Sequence, residues 1–217
     1  MDFKDKTGII FDLDGTLLDT LTDLKNSLND ALARNGLPQR TTDEVRRFVG
    51  NGIATLVRRA VPDGTEDRKY DAVLRDIRQI YAVRCRDTTA PYAGIAELLR
   101  DLKQKGYRLA VVSNKPDAQV KKLCADYFGD CFSAAIGQRE GVPLKPAADP
   151  LLAAMDTLET DRGSTVYVGD SDVDILTAQN AGIPCISVLW GFRDEDFLIA
   201  NGARYFAHTP AEMVQMF

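Results

Sequence analysis

Histidine and cysteine are scarce in this chain of 217 residues, with one and four copies, and each scarcity removes a class of chemistry. His208 is the single histidine and follows Tyr205-Phe206-Ala207 near the C-terminal end, so no histidine-based triad can be assembled and a surface or packing role is expected. Cys85, Cys124, Cys131 and Cys185 are scattered with no CxxC pair, which excludes a zinc cluster or a dithiol redox motif and leaves reduced, structural thiols. No stretch approaches the roughly 20 apolar residues that span a bilayer. The opening MDFKDKTGIIFDLDGTLLDT mixes acids into its first apolar run, unlike a secretory signal. Cytoplasmic placement without a membrane partner is the expectation. A basic excess is also missing: 27 Lys and Arg stand against 32 Asp and Glu, for a net charge of −5, which argues against nucleic acid as a partner. A small anionic substrate stays open, because a local site can be positive on an acidic protein. Internal repeats and low-complexity tracts are absent as well.

What is present is an ordinary globular composition, 45% hydrophobic and 27% charged, able to bury a core. The length suits one sizeable core carrying an inserted subdomain. Gly8 to Phe11 is a short apolar run ending in Asp12, the form of a strand buried on both faces. The form recurs at Leu109 to Val112 before Ser113-Asn114, at Thr165 to Val168 before Gly169-Asp170, and at Cys185 to Leu189 before Trp190-Gly191. Amphipathic helices lie between them, such as Ile95, Leu98, Leu99 and Leu102 with Gly106 as a stop. Strands alternating with helices predict an α/β fold, a Rossmann-like parallel sheet with helices on both faces.

One stretch departs from this rhythm. From about Leu18 to Arg86 the periodicity is helical, with stripes at Leu24, Leu28, Ala31 and Leu32 and at Val73, Ile77, Ile80 and Tyr81. An all-α insertion over residues 18–87 is therefore expected, with residues 1–17 and 88–217 forming the core and turn-type residues near Thr16 to Thr20 and Thr88 to Pro91 serving as hinges.

Ligands of an open α/β sheet bind at the carboxyl ends of its strands. Three strands end there in polar clusters: Asp12 with Asp14, Ser113 with Asn114, and Gly169 with Asp170. Three carboxylates gathered at one small site repel one another, and a hard divalent cation with oxygen ligands resolves this; Mg2+ fits, since it takes a few carboxylates and keeps waters or phosphate oxygens. A carboxylate such as Asp12 can attack phosphorus to give an aspartyl phosphate, provided charge on the transferring oxygens is neutralised. Lys145, the Ser113 hydroxyl and the metal are the available donors. Asp14 would protonate the leaving oxygen and then take a proton from water.

These residues carry a family resemblance. Asp12-Leu13-Asp14-Gly15-Thr16-Leu17 resembles the first motif of the haloacid dehalogenase superfamily, Ser113-Asn114 its second, Lys145-Pro146 its third, and Gly169-Asp170-Ser171 with Asp174 its fourth, in the family's order. The resemblance implies a mobile helical cap over a Rossmann-like core. It also implies metal binding by the carboxylates of Asp12 and Asp170 and the backbone carbonyl of Asp14, with Ser171 and Asp174 supporting that shell, and it places Thr16, Ser113 and Asn114 around the phosphate. Dehalogenases of the family lack the second aspartate, so Asp14 points to phosphorus chemistry. Asp174 and Asp172 also have the plain reading of helix-start residues.

Within the insertion, Val49-Gly50-Asn51-Gly52, followed by Leu56 and Arg58-Arg59, is similar to a segment of phosphoglycolate phosphatases, as is Asp19-Thr20 with Asp23-Leu24. The paired glycines allow close approach of backbone to a ligand, and an arginine, Arg59 by its match to the segment, can clamp a carboxylate. A helix-start turn with solvated arginines is the plain alternative. Ala148 stands where the family often has a second proline, and Ser113 where many members have Thr, keeping the hydroxyl. The expected function is a Mg2+-dependent phosphatase on a small-molecule phosphate ester, 2-phosphoglycolate foremost, acting as monomer or homodimer. A sugar-phosphate or pyrophosphate phosphatase, a phosphomutase and, last, a non-catalytic binding protein are the alternatives.

Overall fold

A computed structural model describes residues 2–217. The chain runs β1 (Gly8–Phe11), β2 (Leu18–Asp19), then helices α1 (Leu21–Arg34), α2 (Thr42–Phe48), α3 (Gly52–Ala60) and α4 (Asp67–Arg84), and returns through β3 (Ala90–Pro91). It continues as α5 (Ile95–Gln104), β4 (Arg108–Pro116), α6 (Asp117–Phe128), β5 (Ala134–Gln138), α7 (Asp149–Leu158), β6 (Thr165–Gly169), α8 (Asp172–Ala181), β7 (Cys185–Val188), α9 (Glu195–Ala200), β8 (Tyr205–Ala207) and α10 (Pro210–Val214). Two compact units result: one from the residues up to Leu18 together with Pro91–Phe217, the other from Asp19–Ala90. The two crossings, β2 and β3, pair as a short two-stranded sheet.

The first unit is built on a six-stranded sheet in the order β5-β4-β1-β6-β7-β8, all of it paired in parallel. Period-two alternation divides its strands between two cores. Ile9, Phe11, Leu109, Val111, Val166, Val168 and Ile186 pack with Leu98, Leu102, Val120 and Met213 from α5, α6 and α10. Ile10, Ala110, Val112 and Tyr167 pack with Leu151, Met155 and Ala178 from α7 and α8 on the other face. Apolar side chains leaving both faces are why β1, β4 and β6 read as continuous hydrophobic runs. From β1 the chain proceeds to β4 on one side and later to β6 on the other, so the order reverses at β1 and opens a crevice at the strands' carboxyl ends.

In the second unit α1 packs against α4, with Leu24, Leu28, Ala31 and Leu32 buried on one and Val73, Ile77, Ile80 and Tyr81 on the other. A capping box starts α2: Thr41 Oγ1 accepts from the Glu44 amide, and Glu44 returns the favour to the Thr41 amide. Asp23, only 2% exposed, sits in the first turn of α1 and accepts hydrogen bonds from the amides and hydroxyls of both Thr88 and Thr89. This ties the start of the insertion to its end. Among the described residues, no helix is long and apolar enough to cross a membrane.

Candidate active site

Asp12 follows β1 directly and is buried, with its Oδ1 2.9 Å from the ammonium of Lys145. The contact is an ion pair without the alignment of a hydrogen bond, and Oδ1 accepts none among the described residues. Lys145 is buried too and is gripped from several sides. Its Nζ donates to Asp174 Oδ1 at 2.8 Å and to the Tyr167 hydroxyl at 2.9 Å. Its backbone is held by Asn114, whose Oδ1 accepts from the Lys145 amide at 2.9 Å and whose Nδ2 donates to the Lys145 carbonyl at 3.0 Å. Asn114 therefore sets the third motif in place against the second.

Asp174 spreads its carboxylate over five donors. Oδ1 takes Lys145 Nζ and the Tyr167 hydroxyl; Oδ2 takes the Ser171 hydroxyl at 2.6 Å and the amides of Asp170 and Ser171. A carboxylate at the start of α8 also meets the positive end of that helix. Asp170, 1% exposed, accepts from the Thr16 hydroxyl at 3.3 Å on Oδ1 and from the Phe192 amide at 2.8 Å on Oδ2. Thr16 is thus joined to Asp170, and its carbonyl accepts from Trp190 Nε1 at 2.9 Å. Gly191 lies so close to Asp170 and to the Gly15 carbonyl that a side chain there has no room.

One carboxylate oxygen each from Asp12, Asp170 and Asp174 lie within 4.8 Å of one another. Burial pushes Asp12 up to about 7; the Lys145 ammonium works against that, and the Asp174 and Asp14 carboxylates work with it. Asp170 is raised well above the usual carboxylate range, first by burial and then by Asp174 and Asp12. Burial alone would lower Lys145, but Asp12 and Asp174 outweigh it and hold the ammonium charged. A pair of buried acids whose ionisation burial opposes, one with an oxygen that accepts no hydrogen bond among the described residues, suits a hard divalent cation. Asp12 Oδ1 accepts no hydrogen bond and Asp170 accepts a single one on each oxygen, so both have lone pairs to offer such a cation, whereas Asp174 takes two donors on one oxygen and three on the other.

Asp14 is partly exposed, and its Oδ1 accepts from Lys115 Nζ at 2.9 Å, a lysine whose side chain is 2% exposed. Ser113 is buried, with its Oγ accepting from the Lys115 amide at 3.3 Å. Lys115 and Tyr167 are absent from the sequence-based set. The available signal was a charged or polar group inside an otherwise buried stretch: Lys115 directly after Ser113-Asn114, Tyr167 between Val166 and Val168. Trp190 packs against the core and makes the hydrogen bond to Thr16. His208 is exposed and pairs with Glu212 at 2.9 Å.

The remaining four predicted residues belong to the helical unit. Gly50 and Gly52 have φ of 116° and 82°, in the left-handed region that favours glycine, and flank Asn51 at the start of α3. Arg59 is exposed and donates to the Phe48 carbonyl at 2.9 Å, while Arg58 stacks 3.8 Å above the Tyr70 ring.

The sequence pattern of the family described as "Haloacid dehalogenase-like hydrolase" matches residues 9–188, which include every residue of the β1, β4 and β6 cluster and the loop of Lys145. The chain belongs to the haloacid dehalogenase-like hydrolases. It is a phosphatase of that family. A phosphoglycolate phosphatase of Caulobacter vibrioides is 36% identical over 191 residues, covering 86% of this chain and 81% of that protein. One of Psychrobacter arcticus is 34% identical over 197 residues, covering 87% and 85%. Among solved structures, one from Lactobacillus delbrueckii subsp. bulgaricus superposes with a TM-score of 0.93 at 33% identity, covering 99% of this chain and 98% of the other. A second, described as a predicted phosphoglycolate phosphatase from Haemophilus somnus, gives 0.90 at 28% identity, with 98% of both covered.

Proposed function

We propose that this haloacid dehalogenase-like phosphatase hydrolyses a small-molecule phosphomonoester in the cytoplasm, 2-phosphoglycolate foremost, through a phosphoryl group carried on Asp12 and with Mg2+ as cofactor. The observation that carries the reading is the meeting of Asp12 with the buried Lys145 ammonium, 2.9 Å away, at the carboxyl ends of β1 and its neighbours. The group that the nucleophile receives is anionic, and an ammonium beside Asp12 neutralises that charge.

In the first half-reaction an Asp12 carboxylate oxygen attacks phosphorus, the ester P–O bond breaks, and Asp14 gives the departing oxygen its proton. In the second, water attacks the phosphorus of the aspartyl phosphate, its proton passes to Asp14, the bond to Asp12 breaks and inorganic phosphate leaves. Lys145 neutralises negative charge on the transferring group throughout, and the Ser113 hydroxyl is a further donor. Asn114, Asp174 and Tyr167 keep Lys145 in place, while Thr16 and the Phe192 amide keep Asp170 in place. Mg2+ would be held by the carboxylates of Asp12 and Asp170 and the Asp14 backbone carbonyl, where it supplies charge neutralisation on the transferring oxygens.

The helical unit is assigned the role of cap. Gly50, Asn51, Gly52 and Arg59 are its substrate-reading segment: the glycines permit backbone approach, and an exposed guanidinium suits the carboxylate of phosphoglycolate. Support for that substrate comes from the names of the relatives 34–36% identical to this chain.

A phosphate-release screen with Mg2+ over 2-phosphoglycolate, sugar phosphates, nucleotides and pyrophosphate, run beside Asp12→Asn, tests the reading. Turnover confined to the wild type with divalent metal, and fastest on 2-phosphoglycolate, is expected. Turnover that survives Asp12→Asn or metal removal overturns the mechanism; equal rates on many esters overturn the substrate assignment alone.

A further inference from the structure

Lys115 stands outside the steps written above, yet its ammonium is among the most buried charges of the first unit. Its side chain is 2% exposed, and Nζ donates to Asp14 Oδ1 at 2.9 Å, while Asp14 itself stays 20% exposed. Putting an ammonium out of contact with water is costly unless an anion and good geometry compensate. The backbone around it is also fixed. The Lys115 amide donates to Ser113 Oγ, and a side chain at Gly137 in neighbouring β5 would come within 2.6 Å of the Lys115 carbonyl. The lysine therefore reaches Asp14 from within β4, with its carbonyl packed against β5.

We propose that Lys115 is a positioning residue for the proton shuttle: it holds Asp14 by Oδ1 and leaves Oδ2 to meet first the leaving oxygen and then the water. The proposal rests on the reading of Asp12 as nucleophile and Asp14 as shuttle. The pairing is strongest at the stage at which Asp14 has parted with its proton. After the ester oxygen has left with that proton, Asp14 is a carboxylate beside an aspartyl phosphate, and the next event is attack of water on phosphorus with transfer of a water proton to Oδ2. An ammonium on Oδ1 keeps the carboxylate aimed through that interval. Lys115 takes part in no bond making or breaking, so atoms and protons balance without it.

This predicts unequal damage to the two half-reactions. p-Nitrophenyl phosphate has a leaving group that departs without protonation, so its first half-reaction does not call on Asp14, whereas phosphate release still does. Rapid-quench kinetics with this ester and Mg2+ should give, for Lys115→Met, a full burst of one p-nitrophenol per enzyme followed by phosphate release slowed roughly 10- to 100-fold, the scale of a misplaced catalytic group. Lys115→Arg, which keeps a cationic donor, should recover part of the loss. Lys115→Gln carries the same test if the methionine variant does not fold. Burst and steady state falling together, KM rising with kcat intact, or unchanged kinetics would each overturn the assignment to Asp14 while leaving the Asp12 mechanism standing. Turnover retained in Asp12→Asn, run in parallel, would remove the mechanism and this role with it.

Discussion

Asp12 and Asp174 are acids buried against the same ammonium, but their surroundings differ in what they ask of the charge. Asp174 is a carboxylate with five donors aimed at it, so an amide in its place turns an NH2 group toward an N–H or toward Lys145. Asp174→Asn should therefore cost about 3–5 kcal/mol of stability, the scale for breaking a buried charge pair, and a denaturant titration reads it. A loss below 1 kcal/mol would contradict the network. Asp12 is the reverse case, a carboxyl that burial already pushes up to about 7. Asp12→Asn should abolish turnover while the metal-free protein melts no lower than wild type, because Lys145 keeps Asp174 and Tyr167. Asp12 and Asp170 were legible in the sequence because each closes a short apolar run, where a charge stands out. Lys115 and Tyr167 were not, since their partners Asp14 and Asp174 lie 101 and 7 residues away and neither pairing has a periodicity. Asn114 was legible as a member of the site but not as a clamp on Lys145, because that role exists only once β4 and the Lys145 loop meet.

Elements follow the same division between local and distant causes. The central strands β1, β4, β6 and β7 announce themselves as apolar runs, because both their faces are covered. Two edge strands, β5 and β8, were silent. Their residues are largely half-buried, and Ala134-Ala135-Ile136-Gly137-Gln138 has neither the bulk nor the alternation that marks a strand. Helices α1 and α4 of the second unit were visible by their stripes, but the clasp between its two ends was not. Asp23 gathers both amides and both hydroxyls of Thr88 and Thr89, across 65 and 66 residues of chain. Burial would raise this carboxyl, yet the hydrogen bonds from Thr88 and Thr89 draw it below its ordinary value. A lowered folded value means that the ionised form's stabilisation is present above about pH 4, the unfolded range, and fades as pH falls through the folded value. Asp23→Ala should cost about 2–4 kcal/mol near neutrality through stranded donors. Hydrogen exchange at the Thr88 and Thr89 amides should quicken selectively, and the gap to wild type should narrow below about pH 4. Unchanged exchange there would remove the clasp.

At the scale of the whole molecule, folding gathers Asp12 and Asp170 into one buried site, and the free energy of doing so depends on what neutralises them. Both carboxyls are raised in the folded chain, Asp12 to about 7 and Asp170 well above its ordinary range. The sign follows from proton counting. Between the unfolded value near 4 and the folded value, the native metal-free protein binds more protons than the unfolded chain, so stability falls as pH rises through that window. These acids therefore stabilise the metal-free fold fully only below about pH 4; the contribution of Asp12 is lost as pH rises through about 7, and that of Asp170 fades over a window that also runs upward from about pH 4. A divalent cation held by the two carboxylates competes with those protons and takes over their part at higher pH. The Mg2+-induced rise in melting temperature should accordingly be small at pH 5 and grow toward pH 8. At 100 times the dissociation constant the gain is about 2.7 kcal/mol, or roughly 5–10 °C for a chain of this size. Melting curves in EDTA and in Mg2+ across that range measure it, with Asp12→Asn as the control that should shrink both the metal-free decline and the Mg2+ gain. A Mg2+ shift of equal size at pH 5 and pH 8, or one untouched by Asp12→Asn, would mean that the cation stabilises the protein somewhere other than between Asp12 and Asp170.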